Sequence, residues 1–303
     1  MAISTYATLQ TAVANWLDRS DLTDRIPEFI DLAEARINRA LRIRLMENVK
    51  VISLVGGIKR YPLPSDYLQL RSIKFTRTAL ASDNLASDMT DSQTTAVLDD
   101  ATPSGGLLAA GFSSTGTVLI GLEQMDYTGI STNTLTGLTR GANGTTAAEH
   151  NSGDTAVQIY PTFTAGTISD KTRPIDTVQY VSPEILSRTY AGNSTGVPRV
   201  YTMRAGYFLF GPVPSSVYNL EIDYYAKVAA LTDSATTNDM LTNNPDVYLY
   251  GSLMEAEPFL MNDNRVGLWL QAFDKAISDI QLQDDKDSHS GTELRVMNTG
   301  GYY

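Results

Sequence analysis

The sequence predicts an α+β fold in which a helix-bundle core with a small antiparallel β-sheet is interrupted by an inserted all-β module. Apolar residues recur at helical spacing near both ends of the chain, which is typical of amphipathic helices packed on a core. Residues 76–172 differ in composition, because they hold 11 of the chain's 22 glycines and only three of its 23 basic residues. That composition, which is also rich in Ser and Thr, favours short strands and turns over helices.

The same change in composition predicts how the chain is divided. Residues 1–75 and 173–283 are expected to form one core domain of helices and short strands, interrupted by residues 76–172 as a β-rich module. Residues 284–303 show no periodicity and are expected to form a flexible C-terminal tail. With 42% apolar residues, the 303-residue chain has ample material for a hydrophobic core.

Two amphipathic helices are predicted in the first flank, on either side of a polar break at residues 18–21. Their apolar positions are Tyr6, Leu9, Val13, Trp16 and Leu17 in the first helix, and Leu22, Ile26, Phe29, Ile30, Ala33, Ile37 and Leu41 in the second. Asp24 is a plausible cap for the second helix, because it places Pro27 in the first turn, where the missing N–H costs little.

Short strands are predicted from alternating, β-branched segments on both sides of the insertion and within it. In the first flank they lie near residues 49–55 and 70–75, with Gly56-Gly57 as a hairpin-type turn. In the second flank a short helix near residues 183–190 is accompanied by strands near 177–181, 200–204, 207–210 and 220–226. In the insertion, strands at 117–120, 124–128 and 156–160 predict a small β-sandwich or barrel.

The second flank ends in two further helical stretches. The first opens at Asn244-Pro245, a cap followed by proline at the first helical position, and Pro258 should kink or break it. The second is predicted to stop at residues 284–288. Its apolar positions are Val266, Trp269, Leu270, Phe273, Ile277 and Ile280.

Composition excludes several classes of function. Cysteine is absent and the only histidines are His150 and His289, which excludes disulfides and thiol catalysis and nearly excludes sulfur or imidazole metal sites. Neither a membrane span nor a signal peptide is visible, so we expect a soluble protein that is not exported by that route. The formal net charge of -11 argues against a protein that wraps nucleic acid, whereas an acidic wall would let DNA slide past.

Three motifs resemble catalytic or ligand sites, and each has a plainer interpretation. Residues 192–196 match the G-x-S-x-G nucleophile elbow, but a helix precedes them and Val197-Pro198 favours extended chain. Residues 141–146 lack the lysine and the spacing of a phosphate-binding loop. Three loop acids miss the spacing of a calcium-binding loop, namely Asp83, Asp88 and Asp91.

Glu123 and Asp126 are the remaining candidates, as the paired carboxylates of a glycosidase. They lie three residues apart in an alternating strand and should therefore point to opposite faces, which weakens this interpretation. We predict no catalytic, cofactor-binding or metal-binding residue, and we interpret the chain as a protein that is not an enzyme.

Arg36, Arg39 and Arg42 recur every third residue on the second predicted helix and form a basic stripe in an acidic protein. The plainer interpretation is a solvated face with local ion pairs. The sharper one is a subunit interface, in which the stripe meets an acidic face of an identical neighbour in a closed ring. Contact with DNA is the third possibility.

Several segments, in order, resemble the head-to-tail adaptor proteins of tailed bacteriophages, the group that includes podovirus tail tubular protein A. The resemblance covers both flanks, about two-thirds of the chain. The segments that carry it are residues 6–10, 16–22, 30–39, 63–67, 197–201, 211–214, 221–225, 248–251 and 256–260. The insertion departs from the compact family pattern, although residues 116–120, 127–129 and 139–145 resemble small β-modules of phage virion proteins.

The resemblance implies a structural virion protein that assembles in the host cytoplasm and occupies the virion neck. It implies a dodecameric ring between the portal and the tail nozzle, with helices around a channel through which genomic DNA passes without specific binding. The tail is expected to bind the portal through Leu294, Val296, Met297, Tyr302 and Tyr303. The insertion is expected to decorate the outside or to contact tail fibres, and a receptor-binding or carbohydrate-active role for it stays open.

Overall fold

The computed structural model describes residues 2–19, 21–75, 80–99, 106–162, 164–165, 177–190, 194–260 and 263–288. These residues form two compact units. The helical unit comprises Met1–Asn48, Asp66–Gln69 and Tyr225–Tyr303, and the β unit comprises Val49–Ser65 and Leu70–Tyr224.

The described elements confirm the predicted α+β class. The helices are α1 Tyr6–Leu17, α2 Ile26–Ala40, α3 Gly106–Ala109, α4 Pro183–Thr189, α5 Asp239–Asn243, α6 Pro245–Leu260 and α7 Asp263–Ser288. The first ten strands are β1 Glu47–Leu54, β2 Arg60–Pro62, β3 Tyr67–Phe75, β4 Ser82–Asn84, β5 Thr95–Val97, β6 Gly116–Ile120, β7 Glu123–Tyr127, β8 Gly129–Ser131, β9 Thr134–Thr136 and β10 Thr155–Ile159. The others are β11 Thr164–Ala165, β12 Gln179–Tyr180, β13 Thr195–Gly196, β14 Val200–Arg204, β15 Tyr207–Gly211, β16 Val213–Pro214 and β17 Tyr218–Ala226.

The core of the helical unit is formed by the apolar stripes that the sequence predicts. In α1 the buried positions are Tyr6, Leu9, Val13 and Leu17, and Thr5 caps this helix in a reciprocal capping box with Thr8. α6 packs against both α2 and α7, which make far less contact with each other. At Gly251 of α6 an added Cβ would lie 3.0 Å from the Cβ of Ala33 in α2 and 3.2 Å from the ring of Phe273 in α7. The absence of a side chain there therefore lets both helices approach α6 closely.

The strands form three four-stranded sheets, with the orders β11-β1-β17-β3, β4-β10-β6-β7 and β12-β14-β15-β2. A three-stranded sheet, β5-β9-β8, and a two-stranded pair, β13-β16, complete the described set. The three predicted strands of the insertion correspond to β6, β7 and β10, which pair antiparallel in one sheet. Apolar residues of this sheet and of β5-β9-β8 share one core, which includes Val118, Ile120, Met125, Leu135 and Ala156.

Two local predictions in the first flank are wrong. Asp24 does not cap α2, because Arg25 is the N-cap residue and the carbonyl of Leu22 accepts from the N–H groups of Arg25 and Ile26. A backbone acceptor thus takes the place of the predicted side chain. The turn at Gly56-Gly57 exists, with Gly57 at φ +81°, but the strands around it do not form a hairpin, since β2 pairs with β15.

The C-terminal helices end near the positions that the sequence predicts. Pro258 lies inside α6, which ends two residues later at Leu260. Because proline removes one hydrogen bond of the last turn only, the helix is not broken before it. α7 continues through the acidic run to Ser288. Arg44 forms ion pairs with Asp284 at 2.9 Å and with Asp287 at 3.5 Å, so a cation offsets the acids at this helix end.

Among the described residues, no helix combines the length and the apolar character needed to span a bilayer. The same residues contain no cluster of three or more His, Asp or Glu side chains able to hold a metal ion.

Candidate interaction surfaces

The helical unit presents two unlike helix faces on the sides of α2 and α7 that point away from α6. Ala33 of α2 faces α6, and successive helical residues are about 100° apart, so Asp31 and Ala35 lie roughly opposite to it. Phe273 of α7 also faces α6, and Leu282, nine residues later, lies about half a turn away. We call these two faces the α2 flank and the α7 flank.

Arg36 lies on α2, where the sequence predicts a basic stripe, but its charge is already paired within the chain. Its Nε donates to Oε1 of Glu255 in α6 at 2.8 Å, and its Nη2 lies 2.6 Å from the same oxygen. This pair joins α2 to α6 on the surface of the helical unit. The local ion pair, which was the plainer interpretation of the stripe, therefore applies to Arg36.

Arg42 is not part of the helical stripe, because α2 ends at Ala40 and Leu41 is its C-cap residue. The chain is extended at Leu41, and the guanidinium of Arg42 turns back to the end of the helix. Its Nη1 donates to the carbonyl of Asn38 at 2.7 Å and to that of Leu41. A cation placed there satisfies helix carbonyls and offsets the negative end of the helix dipole.

Arg39 is the exposed member of the three, and its guanidinium makes no ion pair or hydrogen bond within the described part of the chain. It lines a groove of about 590 Å³ on the α2 flank, which we call the α2 groove. Its other lining residues are Asp31, Glu34, Ala35, Asn38, Arg42, Leu68, Lys227, Val228 and Ala230. The groove thus combines three cations with a floor of small and aliphatic side chains.

Glu34 is a buried acid at the edge of the α2 groove that sequence analysis did not single out. Its Oε1 accepts from the N–H of Leu231 at 2.9 Å and from the hydroxyl of Tyr248 at 3.3 Å. Burial outweighs these hydrogen bonds and raises the pKa of Glu34 to about 7. The signal for this residue was its position between Ala33 and Ile37 in the apolar stripe of the helix, where an acid is unusual.

The α7 flank carries an exposed leucine between two acids. Leu282 is 56% exposed, and Asp279 and Asp285 lie three residues before and after it. The carboxylates of these two acids make no ion pair or hydrogen bond among the described residues, whereas Asp284 and Asp287 are held by Arg44. An unpaired acid near the C-terminal end of a helix is unfavourable, because it adds to the negative end of the dipole.

In the β unit, Glu123 forms a buried cluster with Arg140 and His150. Its Oε1 accepts from Nε of Arg140 at 2.8 Å and from the N–H of Gly141 at 3.0 Å. Its Oε2 lies 2.8 Å from Nε2 of His150 and accepts from Arg140 Nη2 at 2.9 Å and from the N–H of Ala148 at 3.0 Å. Burial alone would raise the pKa of Glu123, but these hydrogen bonds outweigh it and lower the pKa to about 2.

This cluster explains two of the motifs in the sequence. Asp126 accepts instead from the hydroxyl of Thr117 at 2.6 Å, so Glu123 and Asp126 serve different partners. With its pKa near 2 and both oxygens occupied, Glu123 does not have the raised pKa of a general acid. The glycine-rich loop at residues 140–144 is tied to strand β7 through this carboxylate.

The other predicted sites have structural contacts or lie outside the described residues. Asp88 accepts from the N–H of Ser152, and Asp83 accepts from the N–H of Asn84, both at 2.8 Å. Of the G-x-S-x-G segment, residues 192 and 193 are not described, and the carbonyl of Ser194 accepts from Val213. The five predicted portal-binding residues also lie outside the described residues, namely Leu294, Val296, Met297, Tyr302 and Tyr303.

Comparison with models of protein families gives a match over most of the chain. The model of the family described as SU10 adaptor protein matches residues 4–169 and 140–297 of the chain. A comparison with curated protein sequences gave no match.

Proposed function

Because the chain belongs to the SU10 adaptor protein family, a family of phage head-to-tail adaptors, we propose that it forms a ring between the portal and the tail nozzle. The family match extends over both flanks and the insertion, and it is the observation that carries this proposal. As a member of this family the chain is a structural component of the phage virion that interacts with other virion proteins. The proposed ring has twelve copies and lies in the neck, as the resemblance to podovirus tail tubular protein A implies.

The helical unit supports a mechanical role. Three long helices pack in the arrangement α2, α6, α7, and α6 contacts both others, so two helix flanks are left for neighbouring copies. Rigid helices of this kind suit the wall of a ring, because they fix the position of their surface side chains. Arg39 and Arg42 are proposed as contact residues of the wall, and Arg36 supports them by holding α2 on α6.

The acidic composition supports a channel through which DNA slides. Each copy carries a formal net charge of -11, and a ring multiplies that charge around one axis. Duplex DNA is itself a dense polyanion, so an acidic wall repels it and offers few cations to hold its phosphates. Genomic DNA is therefore proposed to pass without specific binding.

The insertion and the C-terminal segment are proposed to contact other virion parts. Residues 76–172 form a module on the outside of the ring that contacts neighbouring tail parts, including tail fibres. The segment from residue 289 to residue 303 binds the portal, with Leu294, Val296, Met297, Tyr302 and Tyr303 as its apolar and aromatic anchors.

The test is assembly of the purified chain on the portal of the same phage. Native mass spectrometry and negative-stain electron microscopy of the mixture are expected to show a ring of this chain on each portal. A variant that lacks residues 289–303 is expected to lose attachment while its helical unit stays folded. A chain that stays monomeric in the presence of the portal, and that is missing from the neck of the virion, would contradict the proposal.

A further inference from the structure

We infer that neighbouring copies join head to tail, with the α7 flank of one copy seated in the α2 groove of the next. This inference rests on the proposed ring and names the two surfaces that close it. A ring requires a heterologous contact, in which two different surfaces on different sides of the subunit meet around the axis.

The two surfaces lie on different helices of the helical unit, and both are turned away from α6. The groove lies on the face of α2 that is turned away from α6, since Asp31 and Ala35 are about 160° from Ala33 around the helix. Leu282 lies on the face of α7 that is turned away from α6, about 180° from Phe273. A second copy can therefore place its α7 beside α2 of the first copy while α6 of each copy keeps its own contacts.

The charges of the two surfaces are complementary. Arg39 and Lys227 line the groove without an ion pair or side-chain hydrogen bond among the described residues, and the Nε atom of Arg42 is buried with no partner there. On the α7 flank, Asp279 and Asp285 are exposed and unpaired within the same part of the chain. In a protein with 34 acidic and 23 basic residues, three cations around one groove are a local excess. Carboxylates are the ligands that such cations favour.

The apolar parts of the two surfaces also correspond. Leu68 and Val228, with the small side chains of Ala35 and Ala230, give the groove an apolar floor. Leu282 is the exposed apolar side chain that stands between the two acids of the α7 flank. In the contact, Leu282 enters the floor while Asp279 and Asp285 reach the cations at its rim. This arrangement of an apolar centre and a charged rim is usual at protein interfaces.

Each surface also carries a charge of the opposite sign, which favours one register of the two helices. Asp31 lines the groove, and Lys286 lies on the α7 flank one turn beyond Leu282. A register that placed Lys286 beside Arg39 would bring like charges together. Charges of both signs on each surface therefore select a single alignment.

The experiment uses charge reversal and mixing of two full-length variants. Arg39→Glu combined with Lys227→Glu reverses the two exposed cations of the groove, and Asp279→Lys combined with Asp285→Lys reverses the α7 flank. Because all four side chains are exposed, each variant keeps its fold, which circular dichroism checks. Asp24→Lys is the control, since Asp24 is exposed in the connection between α1 and α2 and belongs to neither surface. Assembly is followed by native mass spectrometry and analytical ultracentrifugation, with and without the portal.

Each reversed variant is expected to need about tenfold more protein than the wild type to assemble, because like charges then meet at every contact. A one-to-one mixture is expected to assemble normally. In alternating order, the reversed groove of one variant faces the reversed flank of the other, and the two unchanged surfaces face each other. Rings from the mixture should therefore contain even numbers of alternating copies.

The outcomes separate this contact from the proposed function. If the wild type assembles and both reversed variants assemble equally well, the contact is elsewhere and the inference is wrong. If both variants fail and the mixture fails as well, the groove and the α7 flank are not partners, and the inference is again wrong. Failure of the wild type and of the Asp24→Lys control to assemble on the portal would instead contradict the proposed ring.

Discussion

At the scale of single residues, two of the buried acids, Glu123 and Glu34, differ in what compensates their burial. Glu123 receives hydrogen bonds from a guanidinium and two backbone N–H groups, and its pKa falls to about 2. Glu34 receives only one N–H and one hydroxyl, and its pKa rises to about 7. A cation within hydrogen-bonding distance decides the direction in which the pKa of the buried carboxyl group shifts, because it offsets the free-energy cost of removing the carboxylate from water.

The raised pKa of Glu34 predicts that the helical unit loses stability as the pH rises through 7. The unfolded chain releases this proton near the ordinary value of 4.5, whereas the folded chain holds it up to about 7. The protonated group is therefore favourable to folding below pH 4.5, and that contribution is lost as the pH rises to 7. Glu34→Gln keeps an oxygen acceptor without the charge and should stabilise the helical unit by about 1–2 kcal/mol at pH 8.

Tryptophan fluorescence is the measurement for this prediction, because both tryptophans of the chain, Trp16 and Trp269, lie in the helical unit. Urea unfolding of the wild type and of Glu34→Gln is compared at pH 5 and pH 8. Glu28→Gln, the same substitution at an exposed position of the same helix, is the matched control and should show no comparable change between the two pH values. Equal stability of Glu34→Gln and the wild type at pH 8 would show that Glu34 ionises without cost.

At the scale of elements, the helices were predictable because burial leaves a period in the sequence. The predicted apolar positions of α1 and α2 are buried, with the exception of Trp16, which is 48% exposed. The three strands of the insertion were also predicted within one or two residues. The ends of elements were less predictable: Arg25 rather than Asp24 is the N-cap residue of α2, because the backbone carbonyl of Leu22 accepts from the N–H groups there.

The candidate surfaces show the same limit. The spacing of Arg36, Arg39 and Arg42 predicted one basic stripe, but Arg36 is paired with Glu255 on a helix 219 residues away in sequence. Lys227 and Leu68, which complete the α2 groove, come from other parts of the chain. No period in the sequence could bring these residues together, since only the tertiary fold does so.

The glycine-rich loop after β9 is an element in which one carboxylate, that of Glu123, accepts two backbone N–H groups and a guanidinium. Glu123→Gln removes the charge that faces Arg140, which is only 9% exposed, and leaves a buried cation without its partner. Breaking a buried pair from one side typically costs about 3–5 kcal/mol. We therefore expect the loop at residues 140–148 to open far more often, and hydrogen exchange to accelerate at Gly141 and Ala148, whose N–H groups bind this carboxylate.

Asp126→Asn is the control for this prediction. Asp126 lies on the same strand but accepts from the hydroxyl of Thr117, a single bond that an asparagine oxygen can still accept. Its exchange pattern at Gly141 and Ala148 should match that of the wild type. Unchanged protection of these two amides in Glu123→Gln would mean that the loop is held by other contacts.

At the scale of the whole molecule, charge is used in two ways that do not conflict. The sum over the chain is -11, which acts at long range on a polyanion such as DNA. In the proposed contact, the three cations of the α2 groove act at short range on the acids of a neighbouring copy. Added salt screens both effects, but a contact with an apolar centre loses less than one made of charge alone.

Assembled rings are accordingly expected not to retain duplex DNA, even at about 50 mM salt, where non-specific binding of phosphates is strong. Gel-shift and filter-binding assays with a short duplex are the measurement, on rings whose integrity is checked by electron microscopy.

If the contacts between copies use Arg39, Arg42 and Lys227, assembly also removes these cations from the accessible surface. The comparison is the unassembled Asp279→Lys/Asp285→Lys variant, whose α2 groove is open and whose α7 is less acidic. This variant should bind DNA at least as strongly as the rings do. If wild-type rings retain DNA, and if added salt steeply weakens that binding, the prediction is wrong. The wall of the channel would then be basic, although the net charge of the chain is negative.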